Sequence, residues 1–161
     1  MMKILNMLEP RFHASGDVIY QTVEDVEEMY FIMEGSVNIG FEFNRSIKNA
    51  VRLTKGMAIG AYNCTFDKKT IFNYSVHSSL HAFTIRKRNW FYHINDKNFD
   101  DLAKPLRKKI EENYMLNIKY PIIRFQTKFL NRQKEKSKKD YLMMSLVDLH
   151  TDKVIVREHW N

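Results

Sequence analysis

The 161-residue chain is 44% hydrophobic and holds 11 Phe, 8 Tyr and 9 Met, which is enough for a core and too much for a disordered segment. Its one cysteine, Cys64, excludes an internal disulfide and a cysteine-built metal cage and fits a reducing compartment. The net charge of +7 is local: residues 119–139 hold 8 Lys+Arg against 1 Asp+Glu, residues 1–118 hold 16 against 14, and residues 140–161 hold 2 against 4, so a broadly basic nucleic-acid-binding surface is excluded.

The length suggests one domain with some extra chain. No apolar run approaches the roughly 18 residues of a membrane span. "MMKILNML" is too short and too polar-flanked for a signal peptide. A soluble, cytosolic chain is the expectation.

All five glycines fall before residue 61, which places the tight turns in the first half. "DVIYQT" (17–22) alternates apolar and polar side chains, as a half-buried strand does. "EEMYFIMEGSVNIGFEF" (27–43) reads as two strands meeting at "MEGS". In the first, Met29, Phe31 and Met33 face one way and Tyr30 and Ile32 the other; in the second, Val37, Ile39 and Phe41 share a face. "NAVRLTKGMAIG" (49–60) predicts a strand and a turn at Lys55-Gly56. "IFNYSVHSSLHAFTIR" (71–86) predicts two more strands rich in aromatic and β-branched residues. Short strands at regular spacing imply an antiparallel barrel or roll.

The period then changes. From Asn89 the apolar positions run Trp90, Phe91, Ile94, Phe99, Leu102, Leu106, Ile110 and Tyr114, the three-and-four spacing of an amphipathic helix. Asn98, Asp100 and Asp101 offer a cap and an acidic first turn. Pro105 predicts a kink or a new helix start, and Pro121 a helix end. Residues 119–139 predict a strongly basic helix. "YLMMSLVDLH" and "KVIVREHW" read as two short strands or a loose tail. The fold class expected is α+β: an antiparallel, jelly-roll-like β-roll over 16–118, preceded by an N-terminal helix and linker junction over 1–15 and followed by longer helices.

"GDVIYQTVEDVEEMYFIMEGSVNIG" (16–40) resembles the first half of a cyclic nucleotide-binding domain, with Gly16-Asp17, Tyr30-Phe31-Ile32, Gly35 and Val37-Asn38-Ile39 in place. "LTKGMAIGAYN" (53–63) resembles the entry to that family's phosphate-binding cassette, and "FTIRKRNWFYHI" (83–94) its last strand and following helix. The likeness covers roughly residues 10–118. "ILNMLEPRFHASGDVIY" (4–20) is similar to the junction between linker helices and binding domain in voltage-gated channels. "IGAYNCTFDK" (59–68) resembles protist potassium channels of the ether-à-go-go and hyperpolarisation-activated type.

The resemblance implies a cytoplasmic gating domain at the inner face of a membrane. Its partners would be the rest of a channel polypeptide and three further copies in a homotetramer. It also implies a pocket at Gly60, Ala61, Tyr62 and Asn63 and a lid helix carrying Leu106 and Ile110. The family's pocket pairs the phosphate with an arginine fork and the ribose 2′-hydroxyl with a glutamate. Here Ala61 follows the cassette glycine, and Phe72 falls near the arginine position. No arginine lies between Arg52 and Arg86. Lys68 and Lys69 are the nearby cations for an anion contact, as point charges without the fork. Each lost charge-assisted bond weakens binding by roughly 1.5–3 kcal/mol, so two lost anchors lower affinity about a hundredfold or more. Of the family's cofactors, cAMP and cGMP, neither is expected to bind in the ordinary way. In the ether-à-go-go family a segment after the lid fills the pocket; Tyr141–Leu146 or Lys153–Val156 would play that part here, against a loose tail.

The remaining signals weigh toward bland readings. "NCT" (63–65) and "NYS" (73–75) match glycosylation acceptors that a cytosolic chain would never use. His77 and His81 share a strand face without a third metal ligand. The Trp90-Phe91-Tyr92 cluster either stacks on a base or, preferably, anchors a helix. The basic run is either a solvated helix or a contact with anionic lipid, at about 1 kcal/mol per Lys or Arg. It lacks the aromatic interleaving of a nucleic-acid binder. No nucleophile–base set, carboxylate pair or Walker loop appears, so no enzyme and no catalytic residue is expected. Three functions compete: a channel gating domain, a free-standing cAMP or cGMP sensor, and a ligand-free scaffold subunit.

Overall fold

The computed structural model describes residues 2–96 and 100–158, with side chains described for 4–96 and 100–144. In chain order it consists of α1 (Met2–Leu5), β1 (Glu9–His13), β2 (Val18–Tyr20), β3 (Glu28–Phe43), β4 (Ser46–Thr54), β5 (Ala58–Ile59), α2 (Ala61–Phe66), β6 (Asn73–Arg86), α3 (Lys87–Ile94), α4 (Asp100–Tyr114), a π-helical turn (Met115–Lys119) and α5 (Tyr120–Glu158). The chain divides into two compact units, Met1–Ile123 and Arg124–Asn161.

The first unit is an α+β roll. Its six strands form one antiparallel sheet in the order β1-β6-β3-β4, with β2 on β6 and β5 on β3. The shared face of Val37, Ile39 and Phe41 is buried, with Val37 and Ile39 fully excluded from solvent. Met29, Ile32, Ile59, Leu80 and Ile85 complete the centre of the core. Met33 is exposed and Met29 buried, so the expected alternation fails before Gly35. The reason is local irregularity: the pairing of β3 with β6 shifts register three times between Ile32 and Val37. Bulges of this kind bend a strand without ending it.

That bend corrects two expectations. Glu28–Phe43 form one long strand instead of two, and so do Asn73–Arg86. Gly35 makes it possible. Its φ is +86°, and a Cβ there would lie 2.1 Å from the Ser79 carbonyl oxygen. Across the bend, the hydroxyls of Ser36 and Ser78 meet at 2.9 Å.

A third correction concerns residues 1–15, which hold a strand as well as a helix. β1 is an edge strand in which Pro10 sits without breaking the ladder. Phe12 is 70% exposed and stacks on His81 (4.5 Å between centroids, 13° between planes), so the usual apolar-inward signal is reversed. Arg11 fixes this edge with a fork to both carboxylate oxygens of Glu28 (3.2 and 2.6 Å) and a bond to Glu9 (3.0 Å).

The helices depart from expectation at both prolines. α4 runs unbroken through Pro105, while Asp100 and Asp101 do form its acidic first turn; Asn98 and Phe99 lie outside the described residues. Pro121 ends nothing, because the preceding turn is π-helical and Tyr120 N–H reaches back to the Met115 carbonyl. The wider turn absorbs the place where proline cannot donate, and α5 continues with Pro121 in its first turn. Residues 140–158 are helical, neither strands nor an irregular tail. The basic run 119–139 thus starts in the π-helical turn and lies otherwise in α5. Among the described residues no helix is long and apolar enough to cross a membrane.

Candidate functional site

The cassette begins where β5 ends. Gly60 caps α2 with φ +77°, and a Cβ on it would meet Val26 Cγ1 at 2.7 Å and the Glu28 carbonyl oxygen at 3.0 Å. Glycine is required here twice over, by conformation and by space. α2 is then locked from within and behind. Thr65 Oγ1 donates to the Ala61 carbonyl (2.6 Å) and accepts from Trp90 Nε1 (2.9 Å). Trp90 is buried, whereas Phe91 and Tyr92 are exposed, so within the aromatic cluster it is Trp90 that anchors α3 to the cassette. Cys64, on the inner face of α2, is fully buried, and desolvation pushes its thiol up to about 12, which leaves it protonated and unreactive at neutral pH.

A cavity of about 310 Å³ opens between the roll, α2 and the helices that follow. Gly60, Ala61, Tyr62 and Asn63 line it from the cassette, and Leu106 and Ile110 from α4. Asn113, Tyr114, Asn117 and Ile118 continue that helical stripe through the π-turn. The expected cassette and lid residues therefore come together around one hollow. Tyr74, Trp90 and Met29 add to its walls.

Two contacts hold α4 against α2 and the end of α3. The ring of Tyr114 lies flat on that of Tyr62, with centroids 4.1 Å apart and planes 5° from parallel. Arg107 donates to the Ile94 carbonyl and to Asn95 Oδ1 (2.8 Å) at the C-terminal end of α3, where the helix dipole favours a cation. Burial raises the Tyr114 hydroxyl to about 12, and desolvation raises that of Tyr74 as well.

The remaining expected residues sit elsewhere. Phe72 is buried in the core, 4% exposed, and does not line the cavity; two residues on, Tyr74 is the β6 side chain that does. Lys68 and Lys69 are exposed and do not line it either. Lys69 pairs with Asp25 at 3.6 Å, and the neighbouring Asp67 pairs with Lys87 at 2.5 Å. The lysines turn outward because Asn63 folds their loop against α2: its Nδ2 donates to the carbonyls of Lys68 (3.0 Å) and Lys69 (3.1 Å).

Electrostatically the cavity is neutral. No arginine, lysine, aspartate or glutamate lines it among the described residues. Three tyrosines, a tryptophan, a phenylalanine, three asparagines and aliphatic, thioether or small residues do. The chemistry available is stacking, apolar contact and amide hydrogen bonding. Among the described residues there is no group of three or more His, Cys, Asp or Glu placed to hold a metal ion. Sequence reasoning missed Asn113, Asn117 and the pairing of Tyr114 with Tyr62. For the two asparagines, the three-and-four spacing after Leu106 and Ile110 is the available signal.

No family model and no curated protein matches the chain. Solved structures do. The chain is similar to the regulatory subunit of a cAMP-independent protein kinase A from Trypanosoma brucei (18% identity, 80% of this chain and 43% of that one, TM-score 0.59). A variant of that subunit with three substitutions, one introducing an arginine, is solved with cAMP in its A site. The corresponding Trypanosoma cruzi subunit, bound to guanosine, is similar at 16% identity over 80% and 43%, TM-score 0.58. So is the regulatory domain of Toxoplasma gondii protein kinase A with cAMP, at 16% over 68% and 41%, TM-score 0.56. The chain spans less than half the length of each of these. At such identities the likeness establishes the fold, which is the β-roll of cyclic nucleotide-binding regulatory domains.

Proposed function

We propose that this chain is a regulatory module of cyclic nucleotide-binding fold that has given up the cyclic phosphate and works through the closure of its lid over an uncharged cavity. The observation that carries this reading is the lining: a buried phosphate needs a charge-assisted partner, and among the described residues no cationic side chain faces the hollow. The Trypanosoma brucei neighbour supports it, being named cAMP-independent and holding cAMP in a variant that gains an arginine. Calorimetry with cAMP and cGMP is the test. The expectation is no binding below about 100 μM; sub-micromolar affinity for either overturns the reading.

The setting we favour is the cytoplasmic regulatory domain of a voltage-gated potassium channel, at the inner face of the membrane and in a homotetramer. Its support is the likeness of residues 4–20 to a channel linker junction. The basic run 119–139 would then meet anionic lipid, which co-sedimentation with phosphatidylserine vesicles at two salt concentrations would check. Six apolar spans and a pore loop encoded upstream of Met1 are the expected finding; a promoter and stop codon there would sink the channel setting. A free-standing sensor module is the second reading, favoured by the protein kinase A regulatory subunits among the solved neighbours.

A further inference from the structure

We propose that the cavity beneath the lid takes an uncharged, planar heteroaromatic molecule of nucleoside size, packed on the Tyr62–Tyr114 ring pair and hydrogen-bonded by the amides of Asn113 and Asn117. This rests on the uncharged-cavity reading above and goes beyond it by naming the ligand class.

Four observations converge. Among the described residues the lining holds no charge, so an anion or cation entering it would lose hydration without replacement, whereas a neutral ligand would not. The walls are aromatic, with Tyr62, Tyr114, Tyr74 and Trp90 all contributing; flat π-faces favour a flat π-ligand in offset or edge contact. The inner stripe of the lid changes character along its length, from apolar Leu106 and Ile110 to Asn113 and Asn117. Both asparagines are exposed at the cavity's edge, and each amide supplies two N–H donors and a carbonyl acceptor. That set complements a heterocycle edge carrying an acceptor beside a donor. Asn117 also lies inside the π-helical turn, a distortion that concentrates at functional sites. Finally, a volume of about 310 Å³ sits at the small end of the roughly 300–1,000 Å³ of ligand pockets.

The test is calorimetry of the full chain with adenosine, guanosine and cAMP under one buffer condition, repeated on Asn113→Leu/Asn117→Leu and on Tyr62→Leu, with circular dichroism confirming the fold. At least one nucleoside is expected to bind, with cAMP roughly tenfold or more weaker than adenosine because its phosphate finds no partner. The double substitution should weaken the nucleoside by about tenfold or more. Tyr62→Leu keeps apolar bulk while removing the ring, and should weaken it too. Absence of nucleoside binding up to about 1 mM overturns the ligand class and leaves the uncharged-cavity reading standing. An unchanged affinity in the folded double variant overturns the assigned residues. Sub-micromolar binding of cAMP, tighter than that of either nucleoside, overturns both readings at once.

Discussion

The helix Ala61–Phe66 and the loop Asp67–Phe72 adjoin in the cassette and differ in almost every physical respect. The helix is enclosed: Asn63, Cys64 and Thr65 are buried, Trp90 bonds its inner face, and Gly60 fits against Val26 with no room for a methyl group. The loop carries the charge, Asp67, Lys68 and Lys69, and spends it at the surface on Lys87 and Asp25. A phosphate cradle needs both properties in one place. Here the enclosed backbone and the charge lie in different stretches, so the helix is held by packing that does not depend on ligand charge.

Changing pH separates the two stretches most strongly. The tyrosines around the enclosed side are held protonated by burial: Tyr30 and Tyr114 rise from 10.0 to about 12, and Tyr20 and Tyr74 rise further in the same direction. A raised pKa of this kind leaves stability intact below the unfolded value and removes it as pH climbs from about 10 through 12. Thermal melts are expected to fall steeply over that window. The loop gives the opposite and weaker dependence: Lys87 lowers the Asp67 carboxyl below its usual 3.8, so its small contribution is lost only as pH falls through that range.

Among substitutions, Gly60→Ala should cost the most, about 3 kcal/mol by urea unfolding, since strain at positive φ adds to overpacking. Gly56→Ala is its control. Gly56 has φ +85° but nothing within 4 Å of the added Cβ, so about 1 kcal/mol is expected. Equal costs would show that close packing at Gly60 is irrelevant. Thr65→Val leaves the buried Trp90 indole N–H without its acceptor and should cost about 1–3 kcal/mol. A double-mutant cycle of Tyr62→Ala with Tyr114→Ala should return a coupling of about 0.5–1.5 kcal/mol; zero coupling would mean that the stack does not hold the lid. Lys69→Ala, by contrast, breaks only an exposed pair and should change stability by less than about 0.5 kcal/mol. A larger loss there would erase the distinction between helix and loop.

Much of this was readable before any coordinates. The Val37, Ile39 and Phe41 face, the cassette glycine, and the three-and-four spacing through Leu106 and Ile110 each follow from a local period. The losses have physical reasons. β1 was missed because its apolar residue, Phe12, faces outward and its Pro10 signals against a strand. Residues 27–43 were split because Gly35 looks like a turn, when it serves a bulge against Ser79. The pairing of Tyr62 with Tyr114 joins distant parts of the chain, and no local pattern announces it. Phe72 precedes β6 and is buried in the core, and the β6 side chain that lines the cavity is Tyr74; which residue of such a segment reaches a cavity depends on tertiary packing that no local period carries.

The π-helical turn at Met115–Lys119 has a genetic meaning. Such a turn accommodates one residue more than an α-helix of the same span. Removing a single codon there, such as that of the exposed Leu116, would be expected to restore ordinary α-helical bonding. Every residue downstream would then be carried about 100° around the helix axis relative to Tyr114. An in-frame deletion of three nucleotides, harmless to composition and charge, would thus present a different face of α5 after the lid.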